Sequence, residues 1–438
     1  MPDEPRQPDP AELAGEPVAG AQRPGVGAFL GRIAVDTRPF RDSPAFRRLW
    51  LGQAISFIGG ELSFVAIPYQ VFQLTHSTLD VGLLGLCELG PLLVAPLVGG
   101  TLADAVDRRR LLLRTELALA AVSLLLAVNA SLTHPRVWAL YVLLTLGTTA
   151  FSLGTPALRS LLPRIVADDQ IAAASALEGI YSNFAAVAGP VLAGVLIAAV
   201  GLTTTYLIDV ATFTASLASL WLLPPLPPAH DADRPSVRAM ADGLRYVRSR
   251  PILLGIFLVD TNAMIFGMPM ALFPAVGAEL GGGARVVGLL YGAPYAGALV
   301  ASLVSGWVGH VRRQGLGVAV AASCWGVALV LFGFADALWL ALLMLALAGA
   351  ADYVSAVLRS VIVLQATPDA MRGRVTGIEF AQVASAPSLG NVEAGALAAA
   401  TSLRFSIVSG GIASVAGTLL IALAVPTLLS YDAKEKSS

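Results

Sequence analysis

Apolar residues occupy most of this chain in long runs separated by short polar connections. A helix that crosses a membrane needs about 20 mostly apolar residues, and a dozen runs meet that length. We therefore predict an all-α integral membrane protein with about twelve transmembrane helices. The predicted cores are 51–72, 81–103, 111–132, 137–158, 172–200, 204–223, 252–273, 286–308, 318–334, 338–363, 375–400 and 405–429.

Polar segments divide the chain further. Residues 1–42 are rich in proline and acidic residues without an apolar core, which predicts a disordered cytosolic tail. Residues 224–251 are the one long polar interruption, in which 239–247 are expected to form an amphipathic surface helix. Six-helix bundles are thus predicted at 43–223 and 252–429, with a cytosolic tail at 430–438.

Composition agrees with a membrane protein: 56% of the residues are hydrophobic, 13% are charged, and the mean hydropathy is +0.74. The net charge of −1 argues against a nucleic-acid partner. Both cysteines, Cys87 and Cys324, lie in apolar runs, which indicates buried thiols rather than a disulfide or a metal site.

Arginine placement predicts the orientation. Cytoplasmic connections are enriched in arginine and lysine, and arginines here concentrate in alternate connections. One set is Arg41, Arg47, Arg48, Arg108, Arg109, Arg110, Arg114, Arg164, Arg234, Arg238, Arg245, Arg248, Arg250, Arg312, Arg313, Arg372 and Arg374; the other is Arg136, Arg285 and Arg404. Both termini should therefore be cytoplasmic.

Short repeats relate the two bundles. The sequence Val-Gly-Leu-Leu occurs at 81–84 and again at 287–290, and Leu-Arg-Ser occurs at 158–160 and again at 358–360. Several matches in the same order indicate an internal duplication. Two six-helix bundles related by an axis normal to the membrane are expected.

A glycine-opened, charged connection joins the second and third predicted helices. Residues 99–110 read Gly-Gly-Thr-Leu-Ala-Asp-Ala-Val-Asp-Arg-Arg-Arg. Gly100 allows close approach of helix ends, Asp104 can accept hydrogen bonds there, and Arg108 and Arg109 favour the headgroup layer. This connection resembles the G-x-L-a-D-r-x-G-r-R loop of the major facilitator superfamily (MFS), although Ala105 and Asp107 depart from it. The resemblance implies the MFS fold.

Three further segments narrow the resemblance. Residues 43–48, 75–78 and 367–375 are similar to the bacterial MFS group that contains the enterobactin exporter, and the similarity spans 43–429. The resemblance implies a multi-pass protein of the bacterial inner membrane that exports a small molecule, such as a siderophore or drug, by alternating access in exchange for protons.

Gly189, Pro190 and Gly194 in the fifth helix resemble the G-x-x-x-G-P-x-x-G-G antiporter element, with Ala185 and Ala193 in place of two glycines. Small residues permit close helix contact, and proline frees a backbone carbonyl and permits bending. Ordinary helix packing is the alternative explanation.

Ionisable residues in the spans need a reason, since one at mid-bilayer costs at least about 2.5 kcal/mol on insertion scales. A carboxyl group in an apolar cavity binds a proton more readily than one in water, as an antiporter requires. The candidates are Glu61, Asp260, Asp209 and Glu88, of which Glu61 is the first choice and Asp260 the second. Alternatively, each is paired with an arginine or a hydroxyl group in a packing network.

Arg159 and Arg359 occupy matching positions near the cytoplasmic ends of the fourth and tenth helices. We predict that these two arginines act in gating by pairing with carboxylates. The loop motif with Gly100, Asp104, Arg108 and Arg109 is likewise predicted to stabilise one state of the gate. Aromatic and amide residues suit a large, partly planar ligand. The candidates for the cavity wall are Phe64, Tyr69, Tyr181, Asn183, Phe184, Asn262, Phe266, Tyr291, Tyr295 and Gln382.

Enzymes and ATP-driven pumps are disfavoured. The only lysines are Lys434 and Lys436, so no phosphate-binding G-x-x-x-x-G-K-[ST] motif exists, and four scattered histidines form no H-E-x-x-H motif. We predict no catalytic residues, no metal and no cofactor, with a proton gradient as the driving force and a monomer in the lipid bilayer. A lipid or lysophospholipid transporter and a transport-inactive sensor of the same fold remain alternatives.

Overall fold

A computed structural model describes residues 36–224 and 237–432, apart from the side chains at 101, 103, 104, 237–240 and 309. Residues 1–35, 225–236 and 433–438, which include most of the predicted tails and part of the predicted linker, lie outside the described residues. The long helices are α1 (Pro44–Thr75), α2 (Thr78–Ala105), α3 (Arg108–Ser131), α4 (Val137–Arg159), α5 (Ile171–Trp221), α7 (Pro251–Phe266), α8 (Gly283–Leu303), α9 (Gln314–Gly333), α10 (Leu338–Ala366), α11 (Asp369–Ala400) and α12 (Leu403–Ala424), with α6 (Val237–Ser249) between the halves.

The described helices supply twelve crossings, as the hydropathy pattern predicts. Ten candidate spans are long and apolar enough to cross a membrane. One of them contains both arms of α5, because Gly201 interrupts the helix with φ of 80°, a left-handed value that favours glycine. The remaining crossing is α11, whose 32 residues are long enough although its charged and amide residues lower its hydropathy.

Caps set the first helices. Ser43 accepts a hydrogen bond from the backbone N–H of Phe46 at 3.1 Å, and Pro44 takes the first helical position, where no N–H is needed. Ser77 caps α2 by accepting from the N–H of Asp80 at 3.2 Å. His76 between them has φ of 51°, so the chain reverses in two residues.

The seventh crossing differs from the uninterrupted span predicted at 252–273. Helix α7 ends at Phe266, and a 3₁₀ turn (Pro269–Leu272) and a short helix (Phe273–Glu279) follow. Gly267 and the missing N–H of Pro269 break the ladder. The freed backbone is satisfied from neighbouring helices: the Trp325 indole donates to the carbonyl of Gly267 at 3.1 Å, and the N–H of Ala271 donates to Asn391 at 3.0 Å.

Two regions outside the predicted spans, one before the first span and one between the halves, are helical. Residues 38–42, which the prediction includes in the tail, form a short helix, and Phe40 packs edge-on against Trp50 at 5.1 Å. In α6, Val247 is buried and the hydroxyl of Tyr246 donates to the carbonyl of Ala366 at 3.2 Å. Helix α6 therefore packs against the C-terminal half.

The two halves, α1–α5 and α7–α12, meet mainly through α2 against α11 and the first arm of α5 against α8. We call the end of the bundle that carries Arg48, Arg109, Arg164, Arg313 and Arg372 the arginine-rich end, and the other end the closed end. At the closed end, the hydroxyl of Thr78 donates to the carbonyl of Gly395 at 3.1 Å. A side chain at Gly82 would meet the carbonyl of Asn391 at 2.7 Å.

Contacts between the halves weaken towards the arginine-rich end. A Cβ atom placed on Gly90 of α2, or on Gly373 or Gly377 of α11, would meet nothing within 4 Å. The same holds for Gly179 on α5. The halves therefore pack closely at the closed end and have sparser contacts at the arginine-rich end.

Candidate functional site

The four candidate carboxyl groups fall into two kinds of environment. Glu61 and Glu88 lie at the boundary between the halves, whereas Asp209 and Asp260 lie inside the N-terminal and C-terminal halves respectively. Only Asp260 has a cationic partner among the described residues. The alternative that each is paired with an arginine or a hydroxyl group therefore holds for two of the four, Asp260 and Asp209.

Glu61 is brought against the antiporter-like segment of α5. A Cβ atom on Gly189 would collide with the Cβ and Cγ atoms of Glu61, so only glycine leaves room for this carboxylate-bearing side chain. From the other half, Tyr295 of α8 lies in electrostatic range of Glu61. No described cation acts on Glu61. Two features that are 128 positions apart in the sequence thus form one site.

Pro190 and Gly194 face the other half rather than Glu61. A side chain on Gly194 would meet the carbonyl of Ala284 at 2.5 Å and the Cα atom of Gly288 at 3.0 Å. The carbonyl of Pro190 lies against Gly288 as well. The small residues of this motif therefore permit the close contact of α5 and α8 that joins the halves.

Glu88 lines a small cavity between the halves, with a volume of about 50 Å³. Phe64 and Leu144 contribute to its wall from the N-terminal half, and Tyr291 and Asn391 contribute from the C-terminal half. One turn away, a side chain on Gly85 would collide with the backbone of Ser388, at the contact of α2 with α11. Glu88 therefore lies directly beneath the closed end.

Asp260 forms a buried ion pair. Its Oδ1 atom lies 2.7 Å from Nη1 of Arg359, and the two side chains are 4% and 11% exposed. Gln382 of α11 donates to Oδ2 of Asp260 at 3.0 Å and to the carbonyl of Phe257 at 3.1 Å. Arg359 also donates to the hydroxyl of Ser355 at 2.9 Å. These contacts tie α7 to α10 and α11.

Two more carboxyl groups surround this ion pair. Asp352 of α10 and Glu379 of α11 both lie in electrostatic range of Asp260 and Arg359. The C-terminal half thus places three carboxyl groups around one guanidinium group. One positive charge cannot neutralise all three when they are ionised.

Asp209 is satisfied by hydroxyl groups instead. Its Oδ2 atom accepts from Ser63 of α1 at 2.5 Å and from Ser123 of α3 at 2.7 Å, and Thr212 lies 3.5 Å from Oδ1. The aspartate is 1% exposed. A hydroxyl group can donate to a carboxylate or accept from a carboxylic acid, so this site accommodates the side chain of Asp209 without a cation.

Sequence reasoning missed a further buried acid in the N-terminal half. Glu116 of α3 is 8% exposed and accepts from Gln53 at 3.2 Å and from Ser56 at 3.4 Å. Gln53 also donates to Ser216 at 2.9 Å. Glu116 lies inside the predicted span 111–132, so the rule that flagged the other intramembrane acids could have found it.

The predicted gating residues lie on different helices of the structure. Gly100 lies in α2, and the side chain of Asp104 is outside the described residues. Arg108 is buried, and Arg109 donates to the carbonyl of Leu220 at 2.9 Å, which caps the C-terminal end of α5. The predicted role of Asp104 in gating stays a prediction.

Arg159 makes a contact between the halves at the arginine-rich end. Its guanidinium group lies 4.9 Å from the centre of the Phe380 ring on α11, a cation–π arrangement. Glu178 on α5 is in electrostatic range of Arg159. Arg159 and Arg359 occupy matching sequence positions, yet the first bridges the halves and the second pairs within one half.

Several predicted wall residues form aromatic contacts at the boundary of the halves. Tyr291 packs edge-on against Phe64 at 5.5 Å and against Phe273 at 5.0 Å, and its hydroxyl donates to the carbonyl of Met270 at 3.0 Å. Tyr291 is 2% exposed. This cluster fills the space beneath the closed end rather than leaving it open.

The other predicted wall residues are dispersed. Tyr181 packs edge-on against Trp50 at 5.6 Å. The hydroxyl of Tyr69 accepts a hydrogen bond from Gln73 at 2.6 Å. Asn183 donates to the carbonyl of Gly179 on its own helix at 2.8 Å, and Asn262 donates to the carbonyl of Ser414 on α12 at 2.8 Å. Phe184 and Phe266 are 60% and 40% exposed.

In the described residues, no group of three or more histidine, cysteine, aspartate or glutamate side chains is arranged to hold a metal ion. Glu61, Glu88, Tyr291, Tyr295 and Asn391 place carboxyl, phenol and amide groups at the boundary of the halves. Such groups can bind and release protons and can hydrogen-bond an organic molecule.

Comparison with known proteins gives a consistent result. A family model described as transmembrane secretion effector, MFS_3, matches residues 35–438. The enterobactin exporter EntS of Citrobacter koseri is 31% identical over 381 residues, which cover 87% of this chain and 92% of that protein. The enterobactin exporter EntS of Shigella boydii serotype 18 is 30% identical over 383 residues, with the same coverage of 87% and 92%.

A solved structure agrees at the level of the fold. The nucleoside transporter NupG superposes with a TM-score of 0.67 at 13% identity, covering 89% of this chain and 100% of that chain. At this identity the likeness shows the fold alone.

Proposed function

This chain belongs to the transmembrane secretion effector family of the major facilitator superfamily, a family of multi-pass membrane transporters rather than enzymes, and we propose that it is a proton-coupled exporter. Its cargo is a small organic molecule such as a siderophore or a drug. The relatives named as enterobactin exporters support the first of these classes. The protein acts in the bacterial inner membrane as a monomer without a cofactor, driven by the proton gradient.

The positive-inside rule supports a cytoplasmic location for the arginine-rich end and for both termini. The close packing at the closed end and the sparser contacts at the arginine-rich end then support a state that receives cargo from the cytoplasm. Export requires the contacts of α2 with α11 and of α5 with α8 to open while the arginine-rich end closes. Rocking of two such halves about a central site is the alternating-access arrangement.

One observation carries the proton coupling: Glu61 lies at the boundary of the halves, against Gly189 and near Tyr295, with no described cation acting on it. Asp260 has Arg359 and Asp209 has three hydroxyl groups as partners. A carboxyl group at the boundary without such partners favours its protonated form when the halves close around it. It favours its ionised form when the halves part and water reaches it. Glu61 is therefore the first proton carrier to test.

The test uses purified protein in vesicles with an imposed pH gradient, and enterobactin as the first cargo. We expect Glu61→Gln to abolish gradient-driven transport while leaving downhill exchange of the same cargo, because a neutral amide cannot release a proton. Glu393→Gln, which removes a carboxyl group near the closed end of α11, is the matched control and should retain coupling. Unchanged gradient-driven transport in Glu61→Gln would remove this residue from the mechanism.

The same vesicles distinguish the rival functions. A lysophospholipid that is moved in place of every soluble cargo would favour a lipid transporter of this fold. Absence of flux for all candidates, in protein that still binds cargo, would favour a transport-inactive sensor.

A further inference from the structure

Glu88 lies where the two halves close on each other. The cavity that it lines has a volume of about 50 Å³, which holds about one or two water molecules. The cavity is bounded on the side of the closed end by the contact of Gly85 with Ser388 and of Gly82 with Asn391. Closing the halves therefore removes Glu88 from most of its water.

Among the described residues, no positive side chain compensates for this loss. Around Glu88, helix α1 contributes Phe64, α4 contributes Leu144, and the segment after α7 contributes Met270 and Ala271. None of the described cavity-lining residues is an arginine, lysine or histidine. No described cation acts on Glu88 from further away.

The titratable and polar neighbours are also unsuited to stabilising a charge. Cys87 on the same helix and Tyr291 on α8 are in electrostatic range of Glu88, and the Tyr291 hydroxyl donates to the carbonyl of Met270. Asn391 on α11 accepts from the N–H of Ala271 through its side-chain oxygen. The closed cavity therefore suits a neutral carboxylic acid better than a carboxylate.

We propose that Glu88 is the proton sensor of the closed end: α2 packs against α11, and α5 against α8, when the carboxyl group of Glu88 is protonated, and loss of the proton opens this end. The role rests on the proposed exporter function, in which the closed end faces outside. It differs from that of Glu61, because Glu88 exchanges its proton with the outside solution when the closed end opens. Outside acidity then favours return to the state that receives cargo.

The proposal predicts how closure of this end depends on pH. The closed state prefers the protonated form and the open state tolerates the ionised form, so lowering the pH favours closure. With one linked proton, the ratio of closed to open protein changes by up to about tenfold per pH unit in the range where Glu88 titrates.

The experiment measures the opening of this end directly, without cargo or gradient. Cys87→Ser and Cys324→Ser remove the native thiols, and spin labels are placed at Leu79→Cys on α2 and Ala400→Cys on α11, both exposed at the closed end. Pulsed electron–electron resonance then reports the distance between the halves as the pH is varied. We expect the fraction of molecules with the short distance to increase as the pH falls.

In the labelled background, Glu88→Gln should keep the short distance at every pH, and the control Glu393→Gln should keep the response of the parent. A second variant, Asn391→Asp, retains the acceptor for the Ala271 N–H and adds a carboxyl group to the cavity. It should move the midpoint of closure to lower pH, because closure then requires more protonation. An unchanged midpoint in this variant would overturn the proposal even if Glu88→Gln fails to fold.

The proposal is overturned if the parent shows no pH response, if Glu88→Gln retains the full response, or if Asn391→Asp leaves the midpoint unchanged. These outcomes are separate from the exporter function. If gradient-driven transport is lost only in Glu61→Gln, the proton coupling of the proposed exporter is still supported. If the closed end responds to pH but no cargo is transported, only the exporter function is overturned.

Discussion

Asp209 and Asp260 are both nearly inaccessible aspartates, one in the sixth crossing and one in the seventh, but their partners differ in kind. Asp209 accepts hydrogen bonds from Ser63 and Ser123. Asp260 pairs with Arg359 and accepts from Gln382. The N-terminal half holds its acid with neutral donors, whereas the C-terminal half uses a buried cation.

The difference predicts how each site responds to change. Neutral donors are rotatable and can serve a carboxylate, a carboxylic acid or an amide. A buried ion pair is sensitive, because removing either charge leaves the other without compensation in a medium of low dielectric constant. Of these two halves, the C-terminal one should therefore tolerate loss of charge less well.

The largest expected effect follows from removing the cation. Arg359→Leu leaves Asp260 as a buried carboxylate without its partner and should lower the free energy of unfolding by about 3–5 kcal/mol. Thermal denaturation in detergent, followed by the loss of monodisperse protein, measures the change. The double variant Arg359→Leu with Asp260→Asn should recover most of the loss, and a double variant as unstable as the single one would show that packing rather than charge is responsible.

A direct comparison of the two aspartates should give the next largest effect. Asp260→Asn leaves the Arg359 guanidinium without its closest carboxylate and is expected to cost about 1–3 kcal/mol. Asp209→Asn orphans no charge, because Ser63 and Ser123 can turn to accept from the new amide, so its cost should be about 1 kcal/mol or less. The same denaturation assay ranks them, and equal costs would break the comparison.

Removing the neutral donors one at a time sharpens the account of the N-terminal half. Ser63→Ala and Ser123→Ala should each cost about 1 kcal/mol, because the other hydroxyl group still serves Asp209. The double variant should cost more than the sum, since the acid then loses both close donors. Strict additivity, measured in a double-mutant cycle, would argue against a shared network.

Loss of an exposed ion pair should have the smallest effect on stability. Arg38 donates to Asp36 at 2.8 Å at the surface, and this hydrogen bond, with the nearby positive charge, holds the pKa of Asp36 below its usual range. A lowered carboxyl pKa stabilises the fold above the unfolded-state pKa, and that contribution is lost as the pH falls through the folded-state value. Arg38→Ala should change the thermal midpoint by little near neutral pH and by less still in acid. A shift comparable to that of Arg359→Leu would contradict the importance of burial.

The sequence predicted much of the architecture and part of the site. Helices α1 to α4 lie where the apolar runs indicated, and Gly201 separates the arms of α5 between the two predicted spans. The interruption after Phe266 was not predicted, because its backbone is held by Trp325 and Asn391 from distant helices. Glu116 was overlooked although its position in an apolar run was visible.

The number of crossings and the presence of costly acids were determined by the sequence alone, because hydropathy accumulates along a segment and each intramembrane charge is visible one residue at a time. Which acid meets an arginine, which meets only hydroxyl groups and which lies between the halves was decided by the tertiary structure. Partner choice depends on the rotation and packing of whole helices. Glu61 meets Gly189, and Asp260 meets Arg359, only when helices that are distant in sequence pack side by side.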